Sequence, residues 1–114
     1  MTPTTTVKEI KFYIGQEFNH DGHMLRDVFD RKTQAFKYLA EKFGGFTAVT
    51  ASGGWHNPDT GQLVIEQSLV VTVLDYHSVA DSKIEATAKF LAATFNQHTV
   101  LVTTQEVGKM EVTL

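Results

Sequence analysis

The 114-residue chain contains no cysteine. That excludes disulfides, thiolate catalysis and zinc–sulfur sites. Long apolar runs are missing too: none approaches the roughly 18 residues of a membrane-spanning helix. The opening "MTPTTTVKE" has neither the charged nor the apolar region of a signal peptide, so the cytoplasm is the expected location. Positive charge is not in excess. The net charge is −3, with lysines and acids intermixed, unlike the basic footprint of a nucleic-acid binder. Neither nucleic acid nor a membrane is therefore expected as a partner. No serine–histidine–acid order with an elbow turn is legible. Gly44-Gly45 and Gly53-Gly54 lack the spacing of a P-loop or a dinucleotide fingerprint and read as cap and turn residues.

What is present suits one soluble globular domain spanning 1–114, with 1–7 expected to fray. A chain of this length buries roughly two thirds of its unfolded surface and can fold without staples. In "EIKFYIGQ", Ile10, Phe12 and Ile14 alternate with Lys11 and Tyr13, the period of a half-buried strand. From His23 to Phe43 the period lengthens. Leu25, Val28, Phe29, Phe36, Leu39 and Phe43 form one stripe of an amphipathic helix, with Asn19 or Asp21 as the expected cap and Gly44-Gly45 as the stop.

"NPDTG" at 57–61 is turn chemistry. Pro58 presets φ, and Gly61 supplies φ > 0. The segments "FTAVTASGGWH" and "QLVIEQSLVVTVLD" are thus two arms of a hairpin. A second helix follows "DYHS", with Ser78 as the expected cap, Ile84, Ala88, Leu91 and Phe95 as its buried stripe, and Asn96 as its stop. "TVLVTTQEV" is a further strand, and "KMEVTL" a possible short fifth. The order β-α-β-β-α-β predicts a ferredoxin-like, split β-α-β sandwich of the α+β class: an antiparallel sheet with two helices on one face.

Period 2 sorts the long third strand. Leu63, Ile65, Gln67, Leu69, Val71 and Val73 form the more apolar set and should meet the helices. Glu66 and Ser68 then fall on the open face with Val64, Val70, Leu74 and Tyr13, unless a bulge near Gln67 swaps the faces. A mixed face of this kind often has a partner, so Glu66 is either a solvated carboxylate or part of a subunit interface. Glu17, His20, Asp21 and His23 cluster within seven residues, but a polar loop before a helix explains them and no metal is expected. His56 beside Trp55 reads as a proton donor or, with the aromatic packed over the base of the turn, as part of a packing pair. Glu66 and Glu106 both fall in strands and form a candidate carboxylate pair.

The run "GGFTAVTASGGWHNPDTGQLVIEQSLVVTVL", with "FYIG" near the start, resembles the core of a small bacterial and phage domain family of unknown function. A looser resemblance links the element order, "TGQLVIE" and "HTVLVTT" to the phage S-adenosylmethionine (SAM) lyases, also called SAM hydrolases. That likeness implies a ferredoxin-like fold, a trimer holding SAM between subunits, and no cofactor. It also implies a phage-encoded protein in the host cytoplasm. Trp55 and Glu66 match the substrate-contacting positions and would be the catalytic residues; Ser68, on the same strand face as Glu66, and Glu106 are further candidate substrate contacts. The family aromatic is a tyrosine, and Trp55 departs from it. The reaction implied turns SAM into methylthioadenosine and homoserine lactone. The alternatives are a PII-like trimeric module that binds a small nucleotide-like ligand, and a phage-encoded protein-interaction factor without catalysis.

Overall fold

The computed structural model describes residues 5–114. Six elements follow one another: β1 (Thr5–Gly15), α1 (Val28–Phe43), β2 (Thr47–His56), β3 (Leu63–Asp75), α2 (Asp81–Thr94) and β4 (Leu101–Lys109). The strands form one antiparallel sheet in the order β2-β3-β1-β4, the ferredoxin-like arrangement expected from the sequence.

Alternation decides which face is covered. Ile10, Phe12 and Ile14 of β1 stand opposite Val73, Val71 and Leu69 of β3, and all six are buried. The helices close over them with Ala35, Leu39 and Phe43 from α1 and Ile84, Leu91 and Phe95 from α2. This apolar layer, removed from water on one face only, is the dominant favourable term for the fold. Both ladders of β3 run in unbroken register, so no bulge interrupts Gln67. The face assignment of the third strand therefore stands as its period implies.

Several local expectations need correction. Thr5–Val7 do not fray. They extend β1, with Thr5 opposite Lys109; residues 1–4 of the expected frayed segment lie outside the described residues. Helix α1 begins at Val28 rather than His23, because Asp27 adopts left-handed backbone angles (φ 55°) that interrupt any helix running through it. Phe29, placed on the buried stripe by spacing, is 81% exposed, and Ala35 takes the inner position. Asn19 caps its own loop instead of the helix, its Oδ1 accepting the Asp21 and His23 amides at 2.9 Å each.

Ser78 does not cap α2 either. It adopts φ 51°, and the turn before the helix is held by Asp75, whose carboxylate accepts the His77 and Val79 amides at 3.1 and 2.8 Å. Gly44 (φ 82°) ends α1 with its N–H on the Ala40 carbonyl, and Asn96 (φ 52°) follows the end of α2, both as read from the sequence. Residues 110–114 add no fifth strand. The β1–β4 ladder instead runs through Gly108 to Lys109.

Candidate functional site

The β2–β3 hairpin outruns the rest of the sheet. The last β1 residue, Gly15, stands opposite Ser68, and only a long bond at 3.5 Å from the Gln16 amide to the Gln67 carbonyl continues that ladder, so Leu63–Glu66 pair with β2 alone. The result is a two-stranded arm on an elongated molecule of 55 × 31 × 28 Å. Its tip is closed by the expected turn. The Gly61 N–H reaches the Asn57 carbonyl at 2.8 Å, and Gly61 adopts φ 71°.

Glu66 lies on the open face of this arm, where the ladder sets Trp55 opposite Val64, Gly53 opposite Glu66 and Ala51 opposite Ser68. Gly53 has no side chain, so the place directly across from the carboxylate is vacant. Trp55 stands one diagonal step away, about 7–8 Å for such pairs and within reach of an aromatic side chain. A Cβ added at Gly53 would come within 3.3 Å of the Ser68 hydroxyl. Glu66, Gly53, Ser68 and Trp55 thus outline a notch with a carboxylate in its wall and an aromatic ring at its rim. Trp55 is 48% exposed, so it does not fold down over the turn. His56, opposite Leu63, faces the other way.

Among the described residues, no side chain forms an ion pair with the half-buried Glu66. The neighbouring acid, Glu17, is engaged: its Oε2 accepts the Gln67 amide at 2.7 Å and carries the β1–β3 contact one step past Gly15. Of the two acids, Glu66 is the one left open to a ligand's donors.

Glu106 does not join this site. It stands opposite Lys8, which in turn stands opposite Asp75. That level is nine residues along β3 from Glu66 (75 − 66), about 30 Å at strand rise, and on the helix-bearing face. The carboxylate pair suggested by the sequence is therefore not formed within one chain. The histidine cluster is dispersed as well. His20 Nδ1 lies 3.1 Å from Asp21, and its ring meets that of His98 at a tilt of 42° with centroids 4.2 Å apart. Among the described residues no three potential metal ligands converge.

Gly53 was not among the site residues expected from the sequence. Two consecutive glycines inside a strand were the available signal, since glycine interrupts a strand where something approaches the backbone closely. A cleft of about 760 Å³ lies at the opposite end of the open face and was not anticipated. Its walls come from separate segments, so no local motif announces it.

The fold is a ferredoxin-like α+β domain, with a notch on its open sheet face that carries a carboxylate and an indole. The chain belongs to the protein family of unknown function DUF3574, whose pattern matches residues 9–110. No curated protein matches it. Among solved structures it is similar to a phage SAM lyase in complex with S-methyl-5'-thioadenosine. That likeness has a TM-score of 0.61 and 18% identity over 92% of this chain and 90% of that one. The apo state of a phage SAM lyase matches at TM-score 0.61 and 19% identity over 93% and 86%. A Bacillus cereus protein related to NIF3 matches at TM-score 0.57 and 10% identity, covering 93% of this chain but 27% of that one. These likenesses establish a shared fold. No helix among the described residues is long and apolar enough to cross a membrane.

Proposed function

We propose that the Glu66–Trp55 notch binds S-adenosylmethionine and that the protein, assembled as a cytoplasmic homotrimer, converts it to methylthioadenosine and homoserine lactone. The observation that carries this reading is a half-buried carboxylate without a side-chain ion-pair partner, beside an exposed indole, on a fold shared with phage SAM lyases. SAM brings the complementary groups. Its ammonium suits Glu66 as a charge-assisted partner, and the Trp55 face attracts the sulfonium by a cation–π contact. The Ser68 hydroxyl, at the same ladder level as Ala51, offers a further polar contact.

The reaction needs no enzyme nucleophile. A carboxylate oxygen of SAM attacks its own γ-carbon, and the carbon–sulfur bond breaks with its electron pair going to sulfur. Sulfonium and carboxylate charges are consumed together, leaving neutral methylthioadenosine and a lactone that retains its ammonium. Holding the substrate folded for attack accounts for the rate by proximity and orientation. No proton moves in this step, so an indole in place of a phenol at residue 55 is compatible with it.

Incubating the purified protein with SAM and following methylthioadenosine by chromatography tests the reading. Turnover that disappears in Glu66→Gln is the expected result. Binding without turnover supports the second reading, a PII-like small-ligand module, which the departure at Trp55 favours. Neither binding nor turnover leaves the interaction-factor reading.

A further inference from the structure

The cleft at the far end of the open face lies between the sheet, the end of α1 and the segment after β4. Glu9 and Leu74 form its floor, Gly44 and Gly45 leave one wall without side chains, and Phe46 and Tyr76 supply aromatic surface. Glu111 stands at the rim. Among the described residues neither lysine nor arginine lines it, and His77 is the one lining side chain that could carry a positive charge. Helix α1 ends at Phe43 in the same wall, which adds the negative end of its dipole. A volume of about 760 Å³ is within the range of small-molecule sites.

A second observation shows what this lining holds. The chain's own Lys109 places its ammonium 2.8 Å from the Glu111 carboxylate and 4.7 Å from the centre of the Tyr76 ring. Glu111 and Tyr76 together thus already grip a cation beside the mouth. The hydrogen bond between Lys109 and Glu111 raises the lysine's pKa and lowers that of the glutamate. Glu9, which also lines the cleft, accepts the Gln105 amide at 3.1 Å and forms a long ion pair at 3.8 Å with Lys11, which lies outside the cleft.

We propose that the cleft walled by Glu9, Phe46, Tyr76 and Glu111 is a second ligand site, separate from the Glu66 notch, that takes a small organic cation with a flat apolar body. The cationic head sits between Glu9 and the Tyr76 face. The flat part lies along Phe46 and the bare Gly44-Gly45 backbone. Lys109 is the internal competitor for the mouth.

Titrating the intact protein with benzyltrimethylammonium, with neutral N-benzylacetamide as control, tests this by calorimetry and backbone amide shifts. The cation should bind about tenfold tighter than the amide or better. Shifts should centre on Gly44, Gly45, Phe46 and Tyr76 while Gly53 and Trp55 stay still, which separates this site from the Glu66 notch. Glu9→Gln should weaken binding about tenfold, and Lys109→Ala should strengthen it. Equal binding of the amide, shifts confined to Gly53 and Trp55, or a natively folded Glu9→Gln that binds normally would each overturn the proposal. So would a Lys109→Ala protein with unchanged or weaker affinity, a readout that does not depend on Glu9→Gln folding.

Discussion

Glu66 stands directly across the β2–β3 ladder from Gly53, a carboxylate facing a position with no side chain. Gly53 has no positive φ, so β-branched residues suit its backbone. Gly53→Val should therefore leave stability close to the wild type, a gain of about 0.5–1 kcal/mol from reduced backbone freedom and better strand propensity being offset by the shift its Cβ forces on the Ser68 hydroxyl. The same change fills the notch, because even a bare Cβ meets the Ser68 hydroxyl at 3.3 Å. SAM affinity should fall by about tenfold or more, roughly 1.4 kcal/mol. Thermal melting and a SAM titration on one variant read both effects. Unimpaired binding would show that the vacancy opposite Glu66 is not where ligand sits.

Gly61 holds the turn at φ 71°, and a Cβ there would meet nothing within 4 Å, so only the backbone is at stake. Gly61→Val should cost about 1–3 kcal/mol by forcing a β-branched residue into left-handed space. Melting should drop by several degrees. An unchanged melting curve would mean the turn relaxes to another conformation without cost.

Asp75 is 5% exposed and accepts two backbone amides in the turn before α2. Asp75→Ala leaves both donors without their partner and should destabilise by about 1–3 kcal/mol. Urea denaturation measures it. A loss well under 1 kcal/mol would indicate that water replaces the carboxylate.

The arm makes assembly the next expectation. Leu63 and Ile65 on one side and Trp55 on the other are each about half to two thirds exposed, and a bare two-stranded ribbon is marginal in water. We expect a homotrimer, giving three times the chain mass by light scattering at micromolar concentration. Ile65→Asp should dissociate it. A monomer that persists at high concentration would remove the subunit-interface part of the proposed function.

Periodicity carried most of the fold. Ile10, Phe12 and Ile14, the odd set of β3 from Leu69 to Val73, and the α2 stripe from Ile84 to Phe95 are buried as their spacing implies. Spacing failed where backbone conformation intervened. The left-handed angles at Asp27 delay α1 and turn Phe29 outward. It failed too where burial depends on what lies beyond the element. Leu63 and Ile65 share the core face of β3 but project past β1 and the helices. For the proposed site, Glu66 was legible as a charge in an apolar strand, whereas Trp55 entered through the family resemblance, its place beside the turn alone reading as packing. The vacancy at Gly53 needed the register, and the separation of Glu106 from Glu66 needed the strand order. Neither is a local property of sequence.

The most direct measurement of the central claim is a calorimetric SAM titration of Glu66→Gln beside the wild type, with melting curves on the same samples. The substitution keeps the size of the side chain and removes its charge. With no side-chain ion-pair partner among the described residues to lose, the variant should melt at or slightly above the wild-type temperature. Its affinity for SAM should fall by tenfold or more, about 1.4 kcal/mol. A variant that melts far below the wild type yet binds SAM equally well per folded molecule would contradict the assignment of Glu66 as the ligand carboxylate.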